Sequence, residues 1–364
     1  MRARIVCLPG DGIGPEVMQE AVRVLTSVAC AFGHSFTFVE EKLGKAAIQA
    51  YGTPLGEKTL NACRTADAVL LGASSDTVWD NPSEGVRPES GLRLLQSGLN
   101  LYAGLQHCAI SPSAAALPLR EGPAGGVDMV LVWPLSDHPS RHYKGTEEDE
   151  QTAADTVSLS AFDAEQVARL AFRQARERRK SVRGAFLGSL DATTRLFLET
   201  ANRVSGDYPD VTVKWLEAGR CAEELLRRPD RFDMLLLGPA LHLPLSGIAA
   251  GLMGGFGLVP LVMLGDQAPA LYLPAQGEEA SLAGRDMISP IAMILCAAMM
   301  LRKSLRLTSE ADCVEMAVKN VLDAGWRTAD MVNGNAPRVG TQAIGKLIAE
   351  QVDTAGAVMG AFRG

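Results

Sequence analysis

The chain has 364 residues, of which 47% are hydrophobic and 21% charged, and its formal net charge is −7. A chain of this length exceeds what one hydrophobic core usually serves, so we expect two domains. The acidic balance and the aromatic content of 5% argue against binding to nucleic acids or to anionic membrane surfaces, which attract basic proteins.

The seven cysteines are dispersed along the chain without the CxxC spacing of a zinc site. An odd number of scattered cysteines is typical of reduced thiols in the cytoplasm. The N-terminal apolar run is too short for a signal peptide, and the longest apolar stretch, from Met287 to Leu301, contains Pro290. These features predict a cytoplasmic protein that does not enter a membrane.

The first predicted element is a strand in the run RIVCLPG, which ends in Pro9 and Gly10. A helix follows, because apolar residues recur at helical spacing from Val17 to Leu25 and Gly33 provides a stop. The apolar runs ADAVLLGA and VDMVLVWP are predicted as two buried strands.

The next predicted helix runs from Asp163 to Ser181, with Asp163 as the residue that caps its first turn and a basic C-terminal end. RFDMLLLG is predicted as a strand, and Met287 to Leu305 as a buried helix. Strands alternate with helices, which indicates an α/β fold with a mostly parallel sheet. The polar residues 142–156 are predicted to form a projecting loop or arm.

The run LPGDGIGPEV spaces its glycines as G-x-G-x-G, which differs from the dinucleotide-binding fingerprint. Taken with later segments in the same order, it resembles the opening of the isocitrate/isopropylmalate dehydrogenase family, the metal-dependent β-decarboxylating dehydrogenases. The later segments are VRPESGLRLLQSGLNLYAGLQ, SGDYPDV, RRPDRFDMLLLG, GGFGLVPLVMLG and ISPIAMILCAAMMLRKSL. The resemblance covers nearly the whole chain.

This resemblance implies an isopropylmalate dehydrogenase-like fold with two interleaved domains around a mostly parallel sheet. Residues 1–103 and 257–364 would form the large domain. Residues 104–256 would form the small, dimerising domain, with an arm near 134–160. The implied dimer is intertwined, and each partner lends residues to a cleft between the domains.

Members of the family bind a 2-hydroxy acid with arginines, because a guanidinium binds a carboxylate through two hydrogen bonds. The resemblance places Gln96, Gln106 and Trp133 at the arginine positions. These three residues and Arg87 are the candidates for the substrate-binding surface. Arg87 has an alternative interpretation, in which it pairs with a neighbouring glutamate.

Proton transfer in the family uses a lysine and a tyrosine. Counting back from YPDV places Leu187 at the lysine position. The tyrosine position falls on Ser140 by strict counting and on Tyr143 if the register slips by three residues.

The family's metal is held by aspartates, two of them four residues apart on one helix. The resemblance places Leu243 and Gly247 at those two positions. The partner's aspartate falls on Gly219, or on Glu217 if two residues are deleted. Since Mg²⁺ and Mn²⁺ need several oxygen ligands, neither ion is expected. The stretch GPALHLPLSGIAAGL is therefore interpreted as a core and interface helix.

The family's cofactor loop reads QGEEASLAGRDMISP in this chain. Gln276 stands at the position of a histidine that contacts adenine. Glu278 and Glu279 place negative charge where an anionic cofactor would lie, so the sequence argues against NAD without excluding it. The remaining candidates for cofactor binding are Gly277, Gly284 and Ser289.

The segment SDHPSRHYKG offers candidates for a replacement acid–base or anion site. The candidates are His138, Arg141, His142, Tyr143 and Lys144. The alternative interpretation is a polar arm at the dimer surface. His242 is predicted to be a hydrogen-bonded core histidine.

Three hypotheses for function follow. The first is a pseudoenzyme or regulatory subunit without the family's oxidative decarboxylation, working as a homodimer or in a heteromer with an active paralogue. The second is a metal-independent enzyme that acts on a less charged small molecule in the cleft. The third is an active NAD-dependent dehydrogenase of a 2-hydroxy acid.

Overall fold

The computed structural model describes residues 1–74, 87–110, 126–135, 157–188, 191–266, 269–331 and 338–361. These residues divide into two compact units. Unit 1 takes the described residues up to 101 and those from 253 onward, and unit 2 takes those between 102 and 252. The two units are groups of residues in contact, so the predicted domains stay a prediction, and so does the dimer. The arm also stays a prediction, because residues 136–156 lie outside the described part.

Five strands belong to unit 1, in the spatial order β2-β1-β3-β10-β9. They are β1 (Arg2–Gly10), β2 (Ser35–Glu40), β3 (Ala68–Ala73), β9 (Pro260–Gly265) and β10 (Leu271–Pro274). The first four strands in that order run parallel, and β9 is antiparallel to β10. β3 is buried along its whole length, as its run of apolar residues predicts.

The helices of unit 1 are α1 (Gly14–Phe32), α2 (Lys45–Tyr51), α3 (Glu57–Arg64), α4 (Ser90–Gly98), α9 (Ile291–Lys303), α10 (Thr308–Asp323) and α11 (Thr341–Ala361). Two single 3₁₀ turns lie at Phe256–Leu258 and Ala329–Met331. The apolar face of α1 packs against α11 and α9. Gly33 ends α1 in the left-handed conformation at φ 71°, as the sequence predicts.

Unit 2 contains the remaining strands, in the order β4-β5-β8-β6-β7. They are β4 (Leu101–Ile110), β5 (Val127–Pro134), β6 (Ser181–Phe186), β7 (Thr212–Glu217) and β8 (Met234–Leu237). β4 pairs with β5 in antiparallel fashion, and the other pairs are parallel. The α/β class and the mostly parallel sheet predicted from the sequence are confirmed.

The helices of unit 2 are α5 (Ala161–Arg176), α6 (Ala192–Ser205), α7 (Ala218–Arg227) and α8 (His242–Met253), with a 3₁₀ turn at Pro229–Arg231. The last residue of α8 falls in unit 1. α5 packs on α6 and on the strands β5 and β8. Among the described residues, we find no helix with the length and apolar character that a membrane crossing requires.

The predicted boundaries of α5 are wrong at both ends. Ser160 is the capping residue, since its hydroxyl accepts from the N–H of Asp163 at 3.0 Å and donates to the Asp163 carboxylate at 2.6 Å. Asp163 thus lies in the first turn, where a carboxylate also stabilises the helix. The helix ends at Arg176, and Ser181 already begins β6.

Candidate functional site

A glycine-rich turn lies at the carboxyl end of β1, where parallel sheets usually bind ligands. Gly10 and Gly12 have φ of 73° and 57°, a region that other residues avoid. A Cβ on Gly10 would lie 1.7 Å from the carbonyl oxygen of Ala73, at the end of β3. The backbone N–H of Asp11 donates to that same oxygen at 3.2 Å. The turn is therefore packed closely against the neighbouring strand.

The segment 276–289, which contains the candidate cofactor residues, contacts this turn. The N–H of Ile13 donates to the carbonyl oxygen of Glu278 at 2.9 Å. The N–H of Gly284 donates to the carboxylate of Glu16 at 3.3 Å. Burial raises the pKa of Glu16, and the hydrogen bond from Gly284 opposes that shift. The structure thus brings Gly277 and Gly284 to the carboxyl end of β1.

The charge of Glu278 is paired, which corrects one expectation from the sequence. Lys45 Nζ lies 3.0 Å from Glu278 Oε2, and the Glu278 side chain is only 6% exposed. The sequence alone suggested that this carboxylate presents an uncompensated negative charge to an anionic ligand. The pairing with Lys45 shows that the charge is compensated. Glu279, at φ 38°, is exposed.

Gln276 and Ser289 lie in a buried hydrogen-bond network. Gln276 Nε2 donates to the carbonyl oxygen of Ser289 at 3.2 Å, and the Ser289 N–H donates to Asp330 Oδ2 at 3.0 Å. Gln276 Oε1 is buried and finds no hydrogen-bond partner among the described residues. A Cβ on Gly257 would lie 3.0 Å from that oxygen and 3.1 Å from Asp330 Oδ2. Gly257 therefore lets two acceptor oxygens approach its backbone closely, and a hydrogen-bond donor such as the amino group of a nucleotide base fits the chemistry of Gln276 Oε1.

A second cluster lies in unit 2, around Trp133. β4 and β5 pair Gly104 with Trp133, and a Cβ on Gly104 would lie 2.3 Å from Trp133 Cε2. The buried indole stacks on the imidazole of His242, the first residue of α8, with 5.2 Å between ring centroids. Gln106 Nε2 donates to the carbonyl oxygen of Ser246 at 3.3 Å, also in α8. Two substrate candidates, Gln106 and Trp133, therefore share one buried cluster.

The other two substrate candidates belong to unit 1. Gln96 is buried in α4, and its Nε2 donates to Met263 Sδ at 3.1 Å. Arg87 is exposed, just before α4. The candidates His138, Arg141, His142, Tyr143 and Lys144 all lie outside the described residues, as does Ser140.

The positions expected for the metal carry few ligands. Leu243 is 68% exposed in α8, and Gly247 has no side chain. Glu217 Oε2 accepts from the N–H groups of Gly219 and Arg220 at 3.1 and 3.3 Å, so that carboxylate caps α7. Within the described part of the chain, no three His, Cys, Asp or Glu side chains form a group that could hold a metal ion. These residues do not by themselves fit a divalent ion, and we derive no step through one.

The sequence reasoning missed Lys45 and Asp330. Lys45 follows Gly44 in the run LGKAAIQ, and Asp330 lies two residues after Thr328 in the run RTADM. Neither run belongs to the segments that carry the resemblance to the family. Only their contacts with Glu278 and Ser289 connect them with the candidate cofactor segment.

Curated relatives match almost the whole chain. 3-Isopropylmalate dehydrogenase from Nitratidesulfovibrio vulgaris is 38% identical over 360 residues, which are 97% of this chain and 100% of the relative. The enzyme of the same name from Geobacillus kaustophilus is 40% identical over 358 residues, with 97% of this chain and 95% of the relative covered.

Solved structures agree with these relatives. Isocitrate dehydrogenase from Methylococcus capsulatus superposes with a TM-score of 0.84 at 28% identity, covering 96% of this chain and 99% of the other. The β-decarboxylating dehydrogenase from Thermococcus kodakarensis gives a TM-score of 0.78 at 28% identity, covering 97% and 96%.

These findings contradict the interpretation of the chain as a pseudoenzyme or regulatory subunit, because its full-length relatives are named as dehydrogenases. They also contradict the expectation that NAD is doubtful and that Mg²⁺ and Mn²⁺ are unlikely, because dehydrogenases of this family use NAD and a divalent metal. A replaced residue does not by itself remove a function, because a buried charge such as Glu278 is compensated by Lys45, which is distant in the sequence. The model of the family described as isocitrate/isopropylmalate dehydrogenase matches residues 4–348, and the chain belongs to that family.

Proposed function

We propose that the protein is a nicotinamide-dependent dehydrogenase that oxidises a 2-hydroxy acid to the 2-oxo acid. The observation that carries the proposal is the contact between the glycine-rich turn after β1 and the segment 276–289, where Ile13 N–H donates to Glu278 O. The names of the full-length relatives support the reaction class.

The carbon that carries the hydroxyl group would lose its hydride to bound NAD⁺, which would supply the oxidising power. The chain's own residues bind and orient the cofactor in this proposal. Gln276 Oε1 accepts a hydrogen bond from the amino group of the base, since it is a buried acceptor without a partner among the described residues. Gly257 places no side chain against that oxygen, and Ser289 holds the Gln276 amide in place through its carbonyl oxygen.

The substrate-binding surface is proposed to differ from that of relatives with arginine clamps. Gln96, Gln106 and Trp133 are neutral and buried, and each packs against neighbours in its own unit. A neutral amide offers weaker hydrogen bonds to a carboxylate than a guanidinium does. This divergence supports a substrate with fewer carboxylates than isocitrate, held in part by apolar contact.

The protein is proposed to work as a homodimer, with a heteromer formed with a related chain as the alternative. α8 supports this, because it is apolar around much of its circumference while Leu243 is 68% exposed. A helix that is apolar on all sides is usually buried, so its outer face favours a partner. The free thiols of the seven cysteines agree with a proposed cytoplasmic location.

The test is an assay for reduced nicotinamide with the purified protein. NAD⁺ and NADP⁺ are combined with 3-isopropylmalate, isocitrate and 2-hydroxy acids with a single carboxylate, with and without Mn²⁺. We expect reduction with at least one substrate, and tighter binding of the oxidised cofactor than of adenosine alone. The Geobacillus kaustophilus relative serves as a positive control. If the control turns over while this chain neither binds a cofactor nor reduces one, the proposal is wrong.

A further inference from the structure

Three charged residues connect the turn after β1, the start of α2 and the segment 276–279. The carboxylate of Asp11 accepts from the backbone N–H of Lys45 at 2.9 Å, and Lys45 Nζ lies 3.0 Å from Glu278 Oε2. The carbonyl oxygen of Glu278 accepts from the N–H of Ile13. The segment 276–279 is therefore held to the turn by its backbone and to α2 by its side chain.

The position of Lys45 is fixed by its backbone. Gly44 has φ 68°, and a Cβ there would lie 2.2 Å from Asp11 Oδ2. The Asp11 carboxylate can therefore approach the start of α2 only because position 44 is a glycine. Gly44 offers no side chain to cap α2, and Asp11 takes over that role from outside the helix. Asp11 thereby sets where the Lys45 ammonium can reach.

Lys45 compensates the charge of Glu278. Its side chain is 6% exposed, and a carboxylate that is removed from water without a partner raises the free energy of the folded state. Lys45 is 43% exposed, so the ammonium keeps part of its hydration while it compensates the buried carboxylate. The pair offsets the negative charge of Glu278 at the end of the sheet where, under the proposed function, the phosphates of a dinucleotide would lie.

We propose that Lys45 is a positioning residue that cancels the charge of Glu278 and fixes the segment 276–279, so that the carboxyl end of β1 accepts an anionic dinucleotide. The inference rests on the proposed function for its ligand. It differs from a purely structural role in one respect, because the effect of Lys45 depends on the charge of the ligand.

The experiment compares Lys45→Met with the double variant Lys45→Met/Glu278→Gln and with Lys45→Arg. The control is Lys58→Met, because Lys58 also pairs with a buried glutamate, Glu41, at 3.0 Å in the same unit. Binding of ADP-ribose, which is anionic, and of adenosine, which is neutral, is measured by calorimetry at low salt. Amide hydrogen exchange at Ile13 gives a readout that needs no ligand.

Lys45→Met is expected to weaken binding of ADP-ribose about tenfold and binding of adenosine less than about twofold, because the variant removes one positive charge and only ADP-ribose is an anion. The double variant and Lys45→Arg are expected to bind ADP-ribose within about threefold of the wild type. Lys58→Met should match the wild type. In Lys45→Met alone, the Ile13 amide should exchange faster.

Equal weakening for both ligands, or a double variant that binds no better than Lys45→Met, would overturn the proposal. A wild type that binds neither ligand would contradict the proposed function instead. In that case the Ile13 amide still decides the role of Lys45, because unchanged exchange in Lys45→Met would show that the segment does not depend on it.

Discussion

The indole of Trp133 lies nearly parallel to the imidazole of His242, with 8° between the ring planes and 5.2 Å between the centroids. The contact joins the end of β5 to the first residue of α8. Gly104 makes the contact possible, since it stands opposite Trp133 on β4 and leaves room for the indole.

Gly104→Ala is expected to lower the free energy of unfolding by about 1–3 kcal/mol, because the new methyl group would overlap the buried indole. The measurement is unfolding by denaturant, followed by tryptophan fluorescence. Gly251→Ala in α8 is the control, since a Cβ at Gly251 meets no atom within 4 Å. A Gly104→Ala variant as stable as Gly251→Ala would contradict the packing at Trp133.

Gln276→Leu should separate binding from stability. The variant loses the hydrogen bond to Ser289 and also loses the buried Oε1 that has no partner among the described residues. Because these two effects oppose each other, the free energy of unfolding should change by less than about 1 kcal/mol. Adenosine should bind about tenfold more weakly, as measured by calorimetry. Unchanged binding of adenosine would show that Gln276 does not contact the base.

Leu243→Glu should shift the protein towards the monomer, because it places a charge on the exposed apolar face of α8. The oligomeric state is measured by light scattering after size-exclusion chromatography. Phe162→Glu is the matched control, because Phe162 is 67% exposed but lies on α5. If both variants keep the mass of the wild type, α8 is not the interface.

Stability should depend on pH through Asp128. Hydrogen bonds from His107 and Arg178 hold the pKa of Asp128 well below its usual range. A depressed pKa in the folded state means that the stabilisation is present above the unfolded-state pKa of about 4 and is lost as the pH falls through the lower folded-state value. Asp128→Asn should therefore lower the free energy of unfolding by about 1 kcal/mol at neutral pH. The effect is small because Asp128 is half-exposed and solvent screens its ion pairs. The difference from the wild type, measured by denaturant unfolding at several pH values, should shrink in acid.

Local signals in the sequence predict much of the fold. α1 could be bounded correctly because Gly33 and the apolar spacing act within a few residues. The capping residue of α5 was placed three residues too late, because Ser160 and Asp163 both suit a cap and only their mutual hydrogen bonds distinguish them. Elements are predicted better than their exact ends for this reason.

The candidate site was harder to predict, because its contacts join residues that are far apart in the chain. Lys45 and Glu278 are separated by 233 positions, so spacing gives no sign that they pair. Without knowledge of that partner, the negative charge of Glu278 suggests that NAD, an anion, is repelled. The resemblance placed Gln276 at the position of a histidine, but the sequence does not show that its buried Oε1 lacks a partner among the described residues or that Gly257 lies beside it.

The pairing of Lys45 with Glu278 also limits how this chain can be recombined with its relatives. A chimera that receives residues 276–289 without the start of α2 would import an acidic group and leave its counter-ion behind. Exchange of both segments together should preserve the ion pair and the fold around it, whereas exchange of either segment alone should break the pair.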